Sequence, residues 1–253
     1  MGKLATGSLS SNDRKRRTPG LSSSVHKTPD HMPFPYLGGH RWLDLTRDER
    51  FFCAELYFAL KQPDRLAAFI DRLNAALSEM DQQLALDKDA TWEVGYEVAF
   101  YRDYIHALGA PVDGKLVHEI GSTRFSRKRT FDLCLFGPDR LVIIEAKVHQ
   151  GLKGDQVKEF RRDAKHIEQL TGLERSKILL VGLWSSHYTK RAADSRDARV
   201  ADFHGSIKRD FDAILHWNDL GIAGPAFDAG RDLFQVADEL FGRKPGEFRE
   251  VHS

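Results

Sequence analysis

Cysteine is nearly missing from this 253-residue chain, which holds only Cys53 and Cys134. Two thiols exclude a disulfide-built scaffold and a cysteine-built zinc site, and a reducing, cytoplasmic setting is the expectation. No apolar run approaches the roughly 18 residues that a membrane span needs, so no membrane partner is expected. An excess of one charge sign is lacking too. Lys plus Arg number 38 and Asp plus Glu 37, a formal net charge of +1. Attraction of the whole surface to nucleic acid is thereby excluded, and a polyanion has to be held by a local patch. There is no internal repeat, P-loop, zinc-ligand spacing, Ser-His-Asp signature, helicase motif or methylase motif, so no nucleotide cofactor is expected in this chain. What remains is a globular composition, long enough for one mid-sized domain with additions or two small ones.

Residues 1–33 are rich in Ser, Gly, Lys, Arg and Pro and have no apolar periodicity, so a disordered basic arm is expected there. It has no apolar stretch of the kind a secretory signal needs. Met1-Gly2 with Thr6 formally fits an N-myristoylation pattern, which is short enough to arise by chance. Residues 34–90 read as a helical extension packing on a core formed by 91–253. Thr46 and Glu49 have capping-box spacing and open a helix running to about Lys61. Pro63 opens a second, in which Leu66, Phe69, Ile70, Leu73 and Leu77 form one apolar stripe. A third helix is expected over about Trp92 to Leu108, closed by Gly109 and Pro111. It would carry Glu93 and Glu97 at i and i+4 on one face, a pairing that fits a solvated surface as well as a site.

The period then changes. Strands are expected around Lys115 to Phe125, Thr130 to Phe136 and Leu141 to Val148. The last two are joined by the strong turn formers Gly137-Pro138-Asp139-Arg140. If Phe136 pairs with Leu141, Asp132 falls opposite Glu145 and Thr130 opposite Lys147, with both acids and the lysine on one face. Two carboxylates facing each other repel, and a divalent cation such as Mg²⁺ removes that penalty. Leu141-Val142-Ile143-Ile144 is a continuous apolar run, as expected of a strand buried on both faces, and acids at its end are costly without a use. Gly151 to Gly154 turns the chain. Asp155 is the expected N-cap of a helix with Val157, Phe160, Ala164, Ile167 and Leu170 on one side, closed by Gly172. Lys177 to Trp184 is another buried strand, completing a βαβ unit with an expected right-handed crossover.

Asp132 in one strand and Glu145-Ala146-Lys147 ending the next, within a helix–three strands–helix–strand order, resemble the PD-(D/E)xK nuclease superfamily. The resemblance covers about Trp92 to Trp184 and implies an α/β restriction-endonuclease-like core, α-β-β-β-α-β, with a mixed sheet flanked by helices and an N-terminal helical addition. By that resemblance Asp132 and Glu145 are metal ligands, Lys147 lies near the attacking water, and Glu97 matches the acid many members carry on the first core helix, with Glu93 as the alternative. Gln156 followed by Phe160 resembles the Gln-x-x-x-aromatic element of some members, with Phe where Tyr is usual. Phe131 stands where the motif name has Pro. Arg127, Lys128 and Arg129, leading into Asp132, are candidate phosphate contacts or ordinary solvated charge. Further basic residues lie at Arg124, Arg161, Arg162, Lys165, Lys190, Arg191, Arg196 and Arg199.

The function expected is Mg²⁺-dependent hydrolysis of DNA phosphodiester bonds, with Mn²⁺ as a substitute metal and a homodimer where both strands of a duplex are cut. The alternatives are a non-catalytic nucleic-acid-binding or assembly protein on the same fold, and an enzyme of another class acting on a small phosphorylated substrate. Toward the end of the chain, Phe211 to Trp217 reads as a short edge strand and Asp228 to Phe241 as a closing helix.

Overall fold

The computed structural model describes residues 46, 48–80, 82, 84–108, 129–152, 154–194, 209–228 and 230–243. The basic arm at 1–33, the strand expected at 115–125, and Arg124, Arg127, Lys128, Arg196 and Arg199 lie outside the described residues.

Helix α1 (Glu49–Leu60) starts at Asp48, whose side chain accepts from the Arg50 N–H and caps the first turn. The cap is therefore Asp48 and not Thr46. Thr46 Oγ1 instead accepts from the Asp48 N–H at 3.3 Å, and Glu49 is left for other contacts. Helix α2 (Pro63–Glu79) begins on Pro63, as its missing N–H allows. It buries Phe69, Ile70, Leu73, Ala76 and Leu77. The long helix expected over Trp92 to Leu108 divides in two. Strand β1 (Glu93–Val98) precedes helix α3 (Phe100–Ala107). Val94, Tyr96 and Val98 alternate with polar or small residues, and this period-two pattern pairs with strand β2 (Phe131–Phe136), overriding the helical spacing of the two acids.

Strand β3 (Leu141–Ala146) pairs antiparallel with β2, Phe136 against Leu141 and Leu133 against Ile144, in the register deduced from the turn. Helix α4 (Gly154–Thr171) starts one residue before Asp155, and what the Asp155 side chain does lies outside the described structure. Gly172 closes it at φ +71°, a left-handed conformation that glycine adopts without strain. Strand β4 (Ile178–Trp184) runs parallel to β3, followed by helix α5 (Ser186–Ala193) and strand β5 (Ala213–His216), which is parallel to β4. A two-stranded ribbon, β6 (Ala226–Asp228) with β7 (Arg231–Asp232), leads into helix α6 (Leu233–Glu239). A reciprocal Asp232–Gln235 capping box fixes the start of α6.

The fold is thus mixed α/β, a five-stranded mixed sheet of order β1-β2-β3-β4-β5 flanked by helices. One face is covered by α1, α2 and α6 over Leu133, Val142, Ile144, Val181 and Leu183. The other is covered by α3 and α4 over Cys134, Leu141, Ile143 and Leu180. Every residue of β3 and β4 is buried, as central strands with a parallel neighbour require. Among the described residues no helix is long and apolar enough to cross a membrane.

Candidate active site

The β2–β3 turn closes with the Gly137 N–H donating to the Arg140 carbonyl at 2.8 Å. The backbone ladder runs as far as Leu133 and Ile144. Beyond it Asp132 Oδ2 accepts from the Ala146 N–H at 2.8 Å. The carboxylate thus replaces a ladder hydrogen bond and is held against the end of β3. Lys147 follows directly. Its N–H donates to the Leu183 carbonyl at 2.8 Å, and its carbonyl accepts from Trp217 Nε1 at 3.0 Å. The lysine backbone is therefore pinned from both sides, at the carboxyl end of two parallel strands, where ligands commonly gather in sheets of this kind.

The Lys147 ammonium reaches Glu145 Oε1 at 2.8 Å, the Ala146 carbonyl at 2.6 Å and Glu49 Oε1 at 3.1 Å. Glu145 and Lys147 are among the few buried charged groups, at 5 % and 8 % exposure. Glu49 comes from the first turn of α1, 98 residues away in sequence from Lys147. Two contacts seat it there. Phe52 on α1 packs against Trp217 with ring centroids 6.2 Å apart, and the Tyr96 hydroxyl donates to the Arg50 carbonyl at 3.0 Å.

Two carboxylates consequently share one ammonium, and Asp132 lies close enough to feel its charge. Burial first, and then the neighbouring Asp132, raise the Glu145 carboxyl to about 7 against the opposing pull of Lys147. Asp132 and Glu49 are also raised, first by burial and against the pull of Lys147. Burial works against the charge on Lys147, but Glu145, Glu49 and Asp132 overcome it and hold the amine above its ordinary value. The proton that the acids retain near neutrality belongs to the cluster and not to one residue. Hard oxygen donors with surplus negative charge are the donor chemistry of a Mg²⁺ site. Their oxygens are engaged by Lys147 and the Ala146 N–H, and among the described residues no three such side chains converge as a ligating group.

The other expected site residues are placed elsewhere. Glu97 lies on β1 with φ +50°, a left-handed conformation unusual for a residue with a side chain, and pairs with Arg50 Nε at 3.2 Å. Glu93 is exposed at the far end of the same strand. Gln156 is half-buried in the first turn of α4. Arg129 turns inward. Its Nε donates to Asp163 Oδ2 at 2.8 Å, and its guanidinium carbon lies 4.5 Å from the Phe160 ring centroid and 5.4 Å from that of Phe131. The Tyr101 hydroxyl donates to the other oxygen of Asp163 at 2.5 Å. Burial opposes the Arg129 charge, while Asp163 and then Glu145 sustain it.

Glu49 and Asp163 are the residues that the sequence reading passed over. Glu49 was legible only as a helix-cap acid. The period-two run from Trp92 to Val98 was the available signal, because a strand there makes α1 and α2 the helices that precede the sheet. Comparison with protein-family models, with curated proteins and with solved structures gave no match.

Proposed function

We propose that the protein is a metal-dependent nuclease with a restriction-endonuclease-like core, hydrolysing DNA phosphodiester bonds at the Asp132, Glu145 and Lys147 cluster. The observation that carries this reading is a buried lysine held by two carboxylates, with Asp132 clasped to the Ala146 N–H beside it, at the end of an otherwise apolar strand. An antiparallel β1–β2–β3 meander, a helical crossover to parallel β4, and a helix that delivers an acid to the strand ends all agree with it.

Asp132 and Glu145 are the residues that would hold Mg²⁺, or Mn²⁺ in its place, while Glu49 stays with Lys147. Bound there, the metal would supply charge neutralisation at the phosphate and an activated water. The chain's own residues have separable tasks. Asp132 is fixed by the Ala146 N–H, so its carboxylate geometry does not depend on substrate. Lys147 brings a positive charge to the reacting oxygens, where a preorganised charge acts most strongly in a dry site. Glu145 and Glu49 keep that ammonium in place. Cutting both strands of a duplex calls for two such sites, hence a homodimer on the substrate.

The test is cleavage of supercoiled plasmid, linear duplex, single-stranded DNA and RNA by wild type, Lys147→Ala and Asp132→Ala, with Mg²⁺, Mn²⁺ or EDTA. Wild type alone should cut, only with metal, and each variant should lose at least about 100-fold in rate. Equal cleavage by both folded variants would sink the assignment. Binding without turnover by wild type would favour the non-catalytic reading of the fold.

A further inference from the structure

Arg129 carries more donors than its structural role uses. Its Nε–H is taken by Asp163, itself only 6 % exposed and locked by the Tyr101 hydroxyl. The guanidinium is stacked against Phe160 and Phe131, so it has little freedom to turn. Its Nη2 is enclosed, and among the described residues nothing accepts from it. Tying β2 to α4 explains the Asp163 contact but leaves this second donor unexplained. An enclosed donor without an acceptor is a standing penalty that a bound oxyanion would relieve. The residue stands three positions before Asp132, and its charge is felt at both Asp132 and Glu145.

We propose that Arg129 is a substrate-binding residue whose Nη2 donates to a non-bridging oxygen of the DNA phosphodiester seated at the acid cluster, with Asp163 and Tyr101 as its positioning residues. This inference rests on the nuclease reading for the identity of the oxyanion. The arginine fork suits the task, since one edge pairs with Asp163 while another donor serves the phosphate, which a lysine could not do. Arg129 thus acts from inside the fold, and a solvent-facing basic patch is not needed to explain its presence beside the acids.

The test uses the full chain and two variants. Arg129→Lys keeps the charge facing Asp163 and removes Nη2. The double variant Arg129→Gln/Asp163→Asn replaces the ion pair by a neutral amide pair, so that neither leaves a buried carboxylate facing an uncharged side chain. Affinity for labelled single-stranded and duplex DNA oligonucleotides is measured in EDTA over a range of salt. The thermal shift given by inorganic phosphate is measured alongside, and KM and kcat are measured with Mg²⁺. Both variants should bind the oligonucleotides about tenfold or more weakly, and the double variant should lose about one unit of salt slope. The phosphate-induced shift should be lost, with KM rising in both. The Arg129 side-chain N–H signals of wild type should move when the oligonucleotide is added, a readout that needs no variant. Unmoved signals, or folded variants with wild-type affinity and salt slope, overturn the proposal even if wild type cuts DNA. If phosphate protects wild type through Arg129 but no nucleic acid binds or is cut, the oxyanion donor stands and the DNA reading fails.

Discussion

The acid cluster around Glu145 is where pH should act on this protein. Folding takes the Glu145 carboxyl from the ordinary value of 4.5 to about 7. Between those values the folded chain holds a proton that the unfolded chain has released. The stability it contributes is therefore present below about pH 4.5 and is lost as pH rises through about 7. The full swing is on the order of 3 kcal/mol. Thermal unfolding in EDTA should show the melting temperature falling between pH 5 and pH 8, and Glu145→Gln should flatten that fall. Mg²⁺ at pH 8 should raise the melting temperature of wild type more than that of the variant, because the ion takes the place of the missing proton. A melting temperature that climbs from pH 5 to pH 8 in EDTA would contradict the burial of this acid. The Asp132–Glu145 pairing that adds to the effect of burial was legible in the sequence because a four-residue loop of turn formers fixes the register locally.

Elements decide which acid completes the site. Glu97 sits on a strand and answers to Arg50, while Glu49 on α1 answers to Lys147. Glu49→Gln should lower kcat by about 100-fold or more, and Glu97→Gln by several-fold at most, since it acts only through the seating of α1. Steady-state kinetics on the preferred DNA substrate check both, and the reverse order would reject the placement of α1. The family resemblance led to Glu97 because it implies an acid on the first core helix, and the helical spacing of Glu93 and Glu97 with aromatic bulk after them made 92–108 read as that helix. The pairing of β1 with β2 joins segments far apart in the chain, and no local pattern reports it. Glu49 was hidden for the same reason, as was the inward turn of Arg129 toward Asp163, 34 residues on. The buried strands β3 and β4, by contrast, announce themselves as apolar runs. Within β4, Gly182 has a packing role, because a Cβ there would lie 2.0 Å from the Trp184 ring. That ring is held edge-on against Phe211 and Tyr188. Gly182→Ala should cost about 1–3 kcal/mol in denaturant unfolding.

Across the whole molecule the sheet separates two supporting cores, and the candidate site draws on both. The face under α1, α2 and α6 delivers Glu49, and the face under α3 and α4 holds the Arg129–Asp163–Tyr101 network. Between them, the tight turn from Gly137 to Arg140 makes β2 and β3 the shortest-range strand pair of the sheet. Short loops close first, so this hairpin is the natural early event in folding. Its closure brings Asp132 and Glu145 together before α1 can bring Glu49 to Lys147. The chain thus meets the mutual repulsion of its acids on the way up the folding barrier and not only in the finished state. Refolding from denaturant in EDTA should run several-fold faster at pH 6 than at pH 8, roughly in proportion to the pair's share in the transition state. Asp132→Asn should erase the difference. The same charges proposed to equip the protein for chemistry would then set the tempo at which it folds.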